Sequence, residues 1–241
     1  MLRKNILRTV GGSVLPTEIV DFGSFNTSSN SSSTPSFSVS ANYSAGDILV
    51  MLSFAYDSTI NIIEQTTLGD QQVNNLSLSG ELRSVSQRDN TNVLGLYYVA
   101  TTSGTSLSVD LAYTSTPENI YCAIYVLRAS STNYVDRGRQ TWTLGTSEGS
   151  ISYEDGISAI VGIAVYREYT NSNITTPFTV TSTVGTVNLE SSEIIDGGNA
   201  GVVAFNLPYT ETTGSSSLTL TSDDNLSGFN YSYKAMTFIS F

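Results

Sequence analysis

The feature that most constrains the fold is a stretch that occurs twice. Tyr43-x-x-Gly46, followed by the apolar run Ile48 to Leu52, returns 110 residues later as Tyr153-x-x-Gly156 followed by Ile157 to Val165. Thr102-Ser103-Gly104 returns as Thr212-Thr213-Gly214 at the same offset. Leu107, Ala123 and Val20-Asp21-x-Gly23 have counterparts at Leu218, Ala235 and Val135-Asp136-x-Gly138. Self-similarity at this period in a chain of 241 residues reads as two diverged copies of one unit.

The unit is built of strands. Phe37, Val39, Ala41 and Tyr43 alternate with Ser38, Ser40 and Asn42, the period of a half-buried strand. Ile48 to Ala55 carries apolar residues at both parities, which predicts a central strand. Further strands are expected at Val20–Phe25, Ile62–Leu68, Leu76–Val85, Val93–Ala100, Ser106–Ala112 and Ile120–Leu127. The second copy repeats the series at Ile151–Tyr153, Ile157–Val165, Ile174–Val184, Gly201–Leu207, Ser217–Thr221 and Tyr231–Phe241. Ser and Thr together supply 68 residues, which suits many short strands with polar outer faces and the turns between them. The expected fold is all-β: an antiparallel sandwich, jelly-roll-like, of two repeats of about 110 residues with approximate two-fold pseudo-symmetry. The expected parts are an N-terminal arm over 1–17, a first repeat over 18–128 and a second over 129–241. The join Ala129-Ser-Ser-Thr-Asn133 is short and lacks Pro or Gly, which favours one domain holding both repeats.

Charge narrows the partners. The net charge is −11, with only two Lys (Lys4 and Lys234), so no basic surface exists to neutralise the phosphates of a nucleic acid. Three of the ten basic residues, Arg3, Lys4 and Arg8, fall within the first eight positions, and a basic start on an acidic body suits a docking arm. No apolar core of a secretory signal follows them, and the longest apolar runs are strand-length, so no membrane partner is expected.

Candidates for chemistry are few. With no His and one Cys, Cys122, a nucleophilic triad or a zinc site of the usual kind is disfavoured, and no internal disulfide can form. Cys122 lies in an apolar strand and reads as a core residue. No Gly-rich loop precedes a Lys and a helix in the manner of a phosphate cradle. Glu190 with Glu193, and Glu64 with Asp70, have the composition of a glycosidase carboxylate pair but lie in segments expected to be polar loops or strand ends. Asp196-Gly-Gly-Asn199 and Asp223-Asp224-Asn225 supply turn oxygens; as metal ligands Asp223 and Asp224 are the better pair, and turn chemistry explains both segments without a metal. No cofactor is expected. Tyr97-Tyr98, Tyr231-x-Tyr233 and Trp142 are aromatic candidates for a glycan or protein contact.

Gly46-Asp-Ile-Leu-Val-Met-Leu52, Leu94-Gly-Leu-Tyr-Tyr-Val-Ala-Thr-Thr-Ser-Gly104 and Ala123-Ile-Tyr-Val-Leu-Arg-Ala129 together resemble a duplicated β-sandwich module of virion structural proteins of tailed bacteriophages. The resemblance spans most of residues 37 to 241. A Pro-Gly-aromatic turn common in such modules survives only as Thr176-Pro177-Phe178. The resemblance implies a structural or adhesive role without catalytic residues. The expectation is a capsid decoration or cement protein, assembled in the host cytoplasm and located in the virion. It would contact other virion proteins and further copies of itself, with Arg3, Lys4, Arg8 and Trp142 as partner-binding residues. The alternatives are a tail or fibre module that binds host glycans, and a carbohydrate-active enzyme using paired carboxylates.

Overall fold

Both kinds of apolar pattern, the alternating one at Phe37 to Tyr43 and the continuous one at Ile48 to Ala55, form strands. A computed structural model describes residues 17–27, 30–56, 65–68, 71–74, 91–113, 115–128, 136–143, 148–153, 159–167, 179–183, 185–195, 200–208, 216–221 and 233–240. The expected strand Leu76–Val85 and the join 129–133 lie outside them, as do residues 1–16 of the arm. No helix occurs among the described residues. The first half holds β1 (Glu18–Thr27), β2 (Ser36–Tyr43), β3 (Ile48–Tyr56), β4 (Gln65–Leu68), β5 (Gln71–Asn74), β6 (Thr91–Val99), β7 (Gly104–Asp110) and β8 (Asn119–Arg128). The second holds β9 (Asp136–Thr143), β10 (Glu148–Tyr153), β11 (Ile160–Arg167), β12 (Thr179–Ser182), β13 (Asn188–Ile195), β14 (Ala200–Leu207), β15 (Ser216–Thr221) and β16 (Tyr233–Ser240).

These strands pair antiparallel in four sheets, ordered β1-β8-β3-β6, β2-β7-β4-β5, β13-β14-β11-β16-β9 and β10-β15-β12. Adding eight to each number turns β1-β8-β3-β6 into β9-β16-β11-β14, four neighbours of the five-stranded sheet, and turns β2-β7-β4 into β10-β15-β12. Cross-strand pairs follow suit. Val39 opposes Leu107 as Ile151 opposes Leu218, and Leu52 opposes Ala123 as Val165 opposes Ala235. Among the described strands the order differs where β5 pairs with β4, whereas β13 leaves that pattern and adds to β14.

The doubly apolar run explains where the core sits. Ile48 to Ala55 and Asn119 to Leu127 are buried without interruption. One parity, with Leu49, Met51, Ile120, Cys122, Ile124 and Val126, shares a core with Val39 and Ala41 of β2 and Leu107 and Val109 of β7. The other parity, with Ile48, Val50, Leu52, Phe54, Tyr121, Ala123 and Tyr125, shares a core with Val161, Ile163 and Val165 of β11 and Val202 and Ala204 of β14. Alternate residues of a strand point to opposite faces, so β3 and β8 are covered on both sides, once by their own half and once by the other. Each fully buried Val, Leu, Ile or Phe there contributes about 1.5–3 kcal/mol of transfer free energy.

The repeated Asp-x-Gly motif has a mechanical role in the first half. A Cβ at Gly23 would lie 2.1 Å from the Ser40 carbonyl oxygen, so only glycine lets β1 cross so close to β2. Two residues earlier, Asp21 accepts hydrogen bonds from the Asn42 backbone N–H at 2.6 Å and the Asn42 side-chain amide at 2.7 Å. Phe25 and Phe37 stack across the same junction, their centroids 4.1 Å apart.

Candidate functional site

The turn that opens β3 is organised around a buried charge. Gly46 takes φ of 94°, a conformation that side-chain-bearing residues rarely adopt, and this lets the chain reverse after Tyr43. Asp47 follows: its N–H bonds the Ser44 carbonyl at 3.0 Å, and its carboxylate Oδ2 accepts the Ser44 N–H at 2.9 Å. Arg128, the last residue of β8, closes the carboxylate from the other side, Nε to Oδ1 and Nη2 to Oδ2, both at 3.0 Å. The Asp47 side chain is 3% exposed and that of Arg128 53%. A two-pronged pair of this kind fixes orientation, while the exposed guanidinium keeps the gain modest. The apolar strand reading of Gly46 to Leu52 passes over Asp47; its signal was a lone acid at the mouth of an apolar run with a lone Arg ending the strand beside it.

The two halves also meet through tyrosines of β8. Tyr125 shares its hydroxyl hydrogen between the carbonyls of Gly162 at 2.8 Å and Phe205 at 2.9 Å, cross-strand neighbours in β11 and β14. Tyr121 hydrogen-bonds the Ser191 hydroxyl of β13. Burial pushes both phenol pKa values up, so the hydroxyls stay protonated and available to donate. Burial likewise pushes the Cys122 thiol up, which fits the inert core residue expected from its neighbours. Asn119 is different: among the described residues neither its Oδ1 nor its Nδ2 finds a partner.

At the rim of the five-stranded sheet lies β13, and here the structure corrects the sequence reading. Asn188–Ile195, outside the expected strands and with its Glu pair expected in polar loops or strand ends, is a strand at the end of its sheet among the described residues. Ser and Glu are poor strand formers in general, but an edge leaves them solvated, and a bulge between Leu189 and Ser191 absorbs the break in alternation. Ser191 and Glu193 stand opposite Ala204 and Val202, which belong to the core shared by the two halves. Leu189 and Ile194, opposite Phe205 and Gly201, therefore lie on the other face. They are 46% and 50% exposed, the large apolar side chains left most open to solvent among the described residues. Glu190 accepts a hydrogen bond from the buried Asn206 amide, whose oxygen in turn accepts from Asn188 at 3.1 Å.

Of the residues singled out from sequence, Glu190 and Glu193 are thus placed together on one strand. Trp142 lies on β9, opposite Lys234 of β16 in the backbone register. Tyr97 and Tyr98 lie on β6 and Tyr233 on β16. Arg3, Lys4, Arg8, Glu64, Asp70, the Asp196–Asn199 turn, Asp223, Asp224 and Tyr231 fall outside the described residues. Among the described residues no group of three or more acidic or Cys side chains is arranged to hold a metal ion. No helix there is long and apolar enough to cross a membrane.

No protein-family model matches the chain, and no curated protein matches it. Among solved structures it is similar to a chain in "Life in the extremes: atomic structure of Sulfolobus Turreted Icosahedral Virus", at 12% sequence identity and a TM-score of 0.24. The match covers 90% of this chain and 59% of that one, so this chain spans less than two thirds of its neighbour's length. A likeness of that size carries no argument about topology or role.

Proposed function

We propose that this protein is a non-enzymatic structural protein of a virion, a capsid decoration or cement subunit that docks through its basic N-terminal arm. Its body is a tandem duplication of one β-sandwich unit with approximate two-fold pseudo-symmetry. The recurrence of the order β1-β8-β3-β6 as β9-β16-β11-β14 supports the duplication, and the core shared by β3, β8, β11 and β14 supports one domain. The observation that carries the structural role is the use made of the interior charge: Asp47, the one charged residue buried among the described residues, is held by Arg128 and a turn N–H. The tyrosine hydroxyls of β8 likewise tie sheet to sheet. Binding energy then comes from apolar anchors and strand or arm contacts with other virion proteins.

The test removes residues 1–16 and stops short of Thr17, which is buried. The shortened protein is expected to keep its β-sheet circular dichroism and cooperative unfolding but to be lost from purified particles. Undiminished incorporation overturns the reading.

A further inference from the structure

We infer that the open edge of β13 is the seat of the N-terminal arm, residues 1–16, of a neighbouring copy, which adds as one more strand to the five-stranded sheet. This rests on the arm-docking reading above and names the surface that receives the arm.

Strand β13 pairs with β14 on one side, and no described strand pairs with the other. An unpaired edge presents a row of N–H and C=O groups, and proteins usually blunt it with Pro or Lys. The segment Asn-Leu-Glu-Ser-Ser-Glu-Ile-Ile has neither, and its guards are two acids and the bulge between Leu189 and Ser191, which a basic strand can meet. It offers instead two exposed apolar side chains, Leu189 and Ile194, and two acids, Glu190 and Glu193. The arm is complementary in both respects: Leu2, Ile6, Leu7 and Val10 are apolar, and Arg3, Lys4 and Arg8 concentrate positive charge in a chain of net charge −11. Strand addition draws affinity from the main chain and selectivity from such alternate side chains.

One other occupant fits less well, and a second is separated by the experiment. A second β13, paired antiparallel about Ser191-Ser192, would set Glu190 against Glu193 twice, and like charges directly opposite destabilise a strand pair. The copy's own arm carries the same side chains and its β1 approaches β13, so the crosslink between light and heavy copies separates that case from exchange between copies.

The experiment uses the full-length protein with a photo-crosslinking residue at Ile6, mixed in equal parts with an isotopically heavy copy lacking it. Adducts joining the light arm to the heavy 188–195 peptide are expected. In parallel, Leu189→Asp with Ile194→Asp is expected to weaken self-association at least tenfold by sedimentation velocity, with unchanged circular dichroism. Glu193→Arg is expected to weaken it as well, and Arg3→Glu, Lys4→Glu and Arg8→Glu together to restore it. Adducts confined to one copy, adducts elsewhere, a monomer at all concentrations, or association indifferent to the β13 changes each overturn the inference. If deletion of residues 1–16 still abolishes particle incorporation in those cases, the arm docks on another surface and the broader reading stands. If it does not, both fall.

Discussion

Strands β8 and β13 lie in different sheets, joined by the hydrogen bond between Tyr121 and Ser191, and they are opposite in kind. In β8 nine of ten residues are buried, while in β13 no residue whose side chain is described is fully buried. The first is apolar at both parities because both its faces meet a core; the second, among the described residues, is paired on one side only. One strand supplies stability, and the other is the surface we propose for a partner chain. Substitutions should therefore separate the two almost completely.

The widest separation is expected between Phe54→Ala and Ile194→Ala. Phe54 packs beside Tyr121 in the core common to both halves, and its loss should cost about 3–5 kcal/mol in urea-induced unfolding. Ile194 is half exposed, and its truncation should stay within about 0.5 kcal/mol. A comparable cost at the two positions would mean that β13 is covered in the isolated protein. Next comes Arg128→Met, which leaves the buried Asp47 carboxylate with one fewer partner; the urea midpoint should fall, and Lys at the same position should recover only part because it lacks the two-pronged fork. Tyr125→Phe keeps the ring and removes the hydroxyl shared by Gly162 and Phe205. Its cost should be about 1 kcal/mol.

The smallest effect is also a test of pH. Burial raises the Asp21 pKa, but hydrogen bonds from the Asn42 N–H, the Phe22 N–H and the Asn42 amide outweigh it, so the folded value lies below the usual one. The unfolded chain thus binds the proton more readily. The stabilisation is complete above the unfolded value of about 4 and is lost as pH falls through the folded value. Asp21→Asn should lower stability slightly at neutral pH and flatten the fall between about pH 5 and 2, as read from thermal unfolding. An unchanged acid limb would remove Asp21 as the clasp between β1 and β2.

How much of this was legible beforehand differs from residue to residue. Ile48 to Ala55 announced a central strand, since apolar side chains at both parities have no other economical place. The recurrence of Tyr43, Gly46 and the Asp-x-Gly pairs was also plain, but not its purpose. That Asp21 clasps Asn42 and that Gly23 clears Ser40 are facts about two sheets crossing, which no local pattern encodes. Strand β13 was missed because its composition is that of a loop, and only a place at the end of the sheet makes such a strand tolerable.

By itself the sequence determined the class of the fold, since period-two alternation and doubly apolar runs are local consequences of how side chains leave an extended backbone. Only the tertiary structure decided that β3 and β8 are buried on both faces, that Asp47 is spent on Arg128, and that β13 departs from the pattern of β5 to end its sheet among the described residues. Those outcomes depend on which distant segments meet, and contacts of that range are set by the joint packing of both halves.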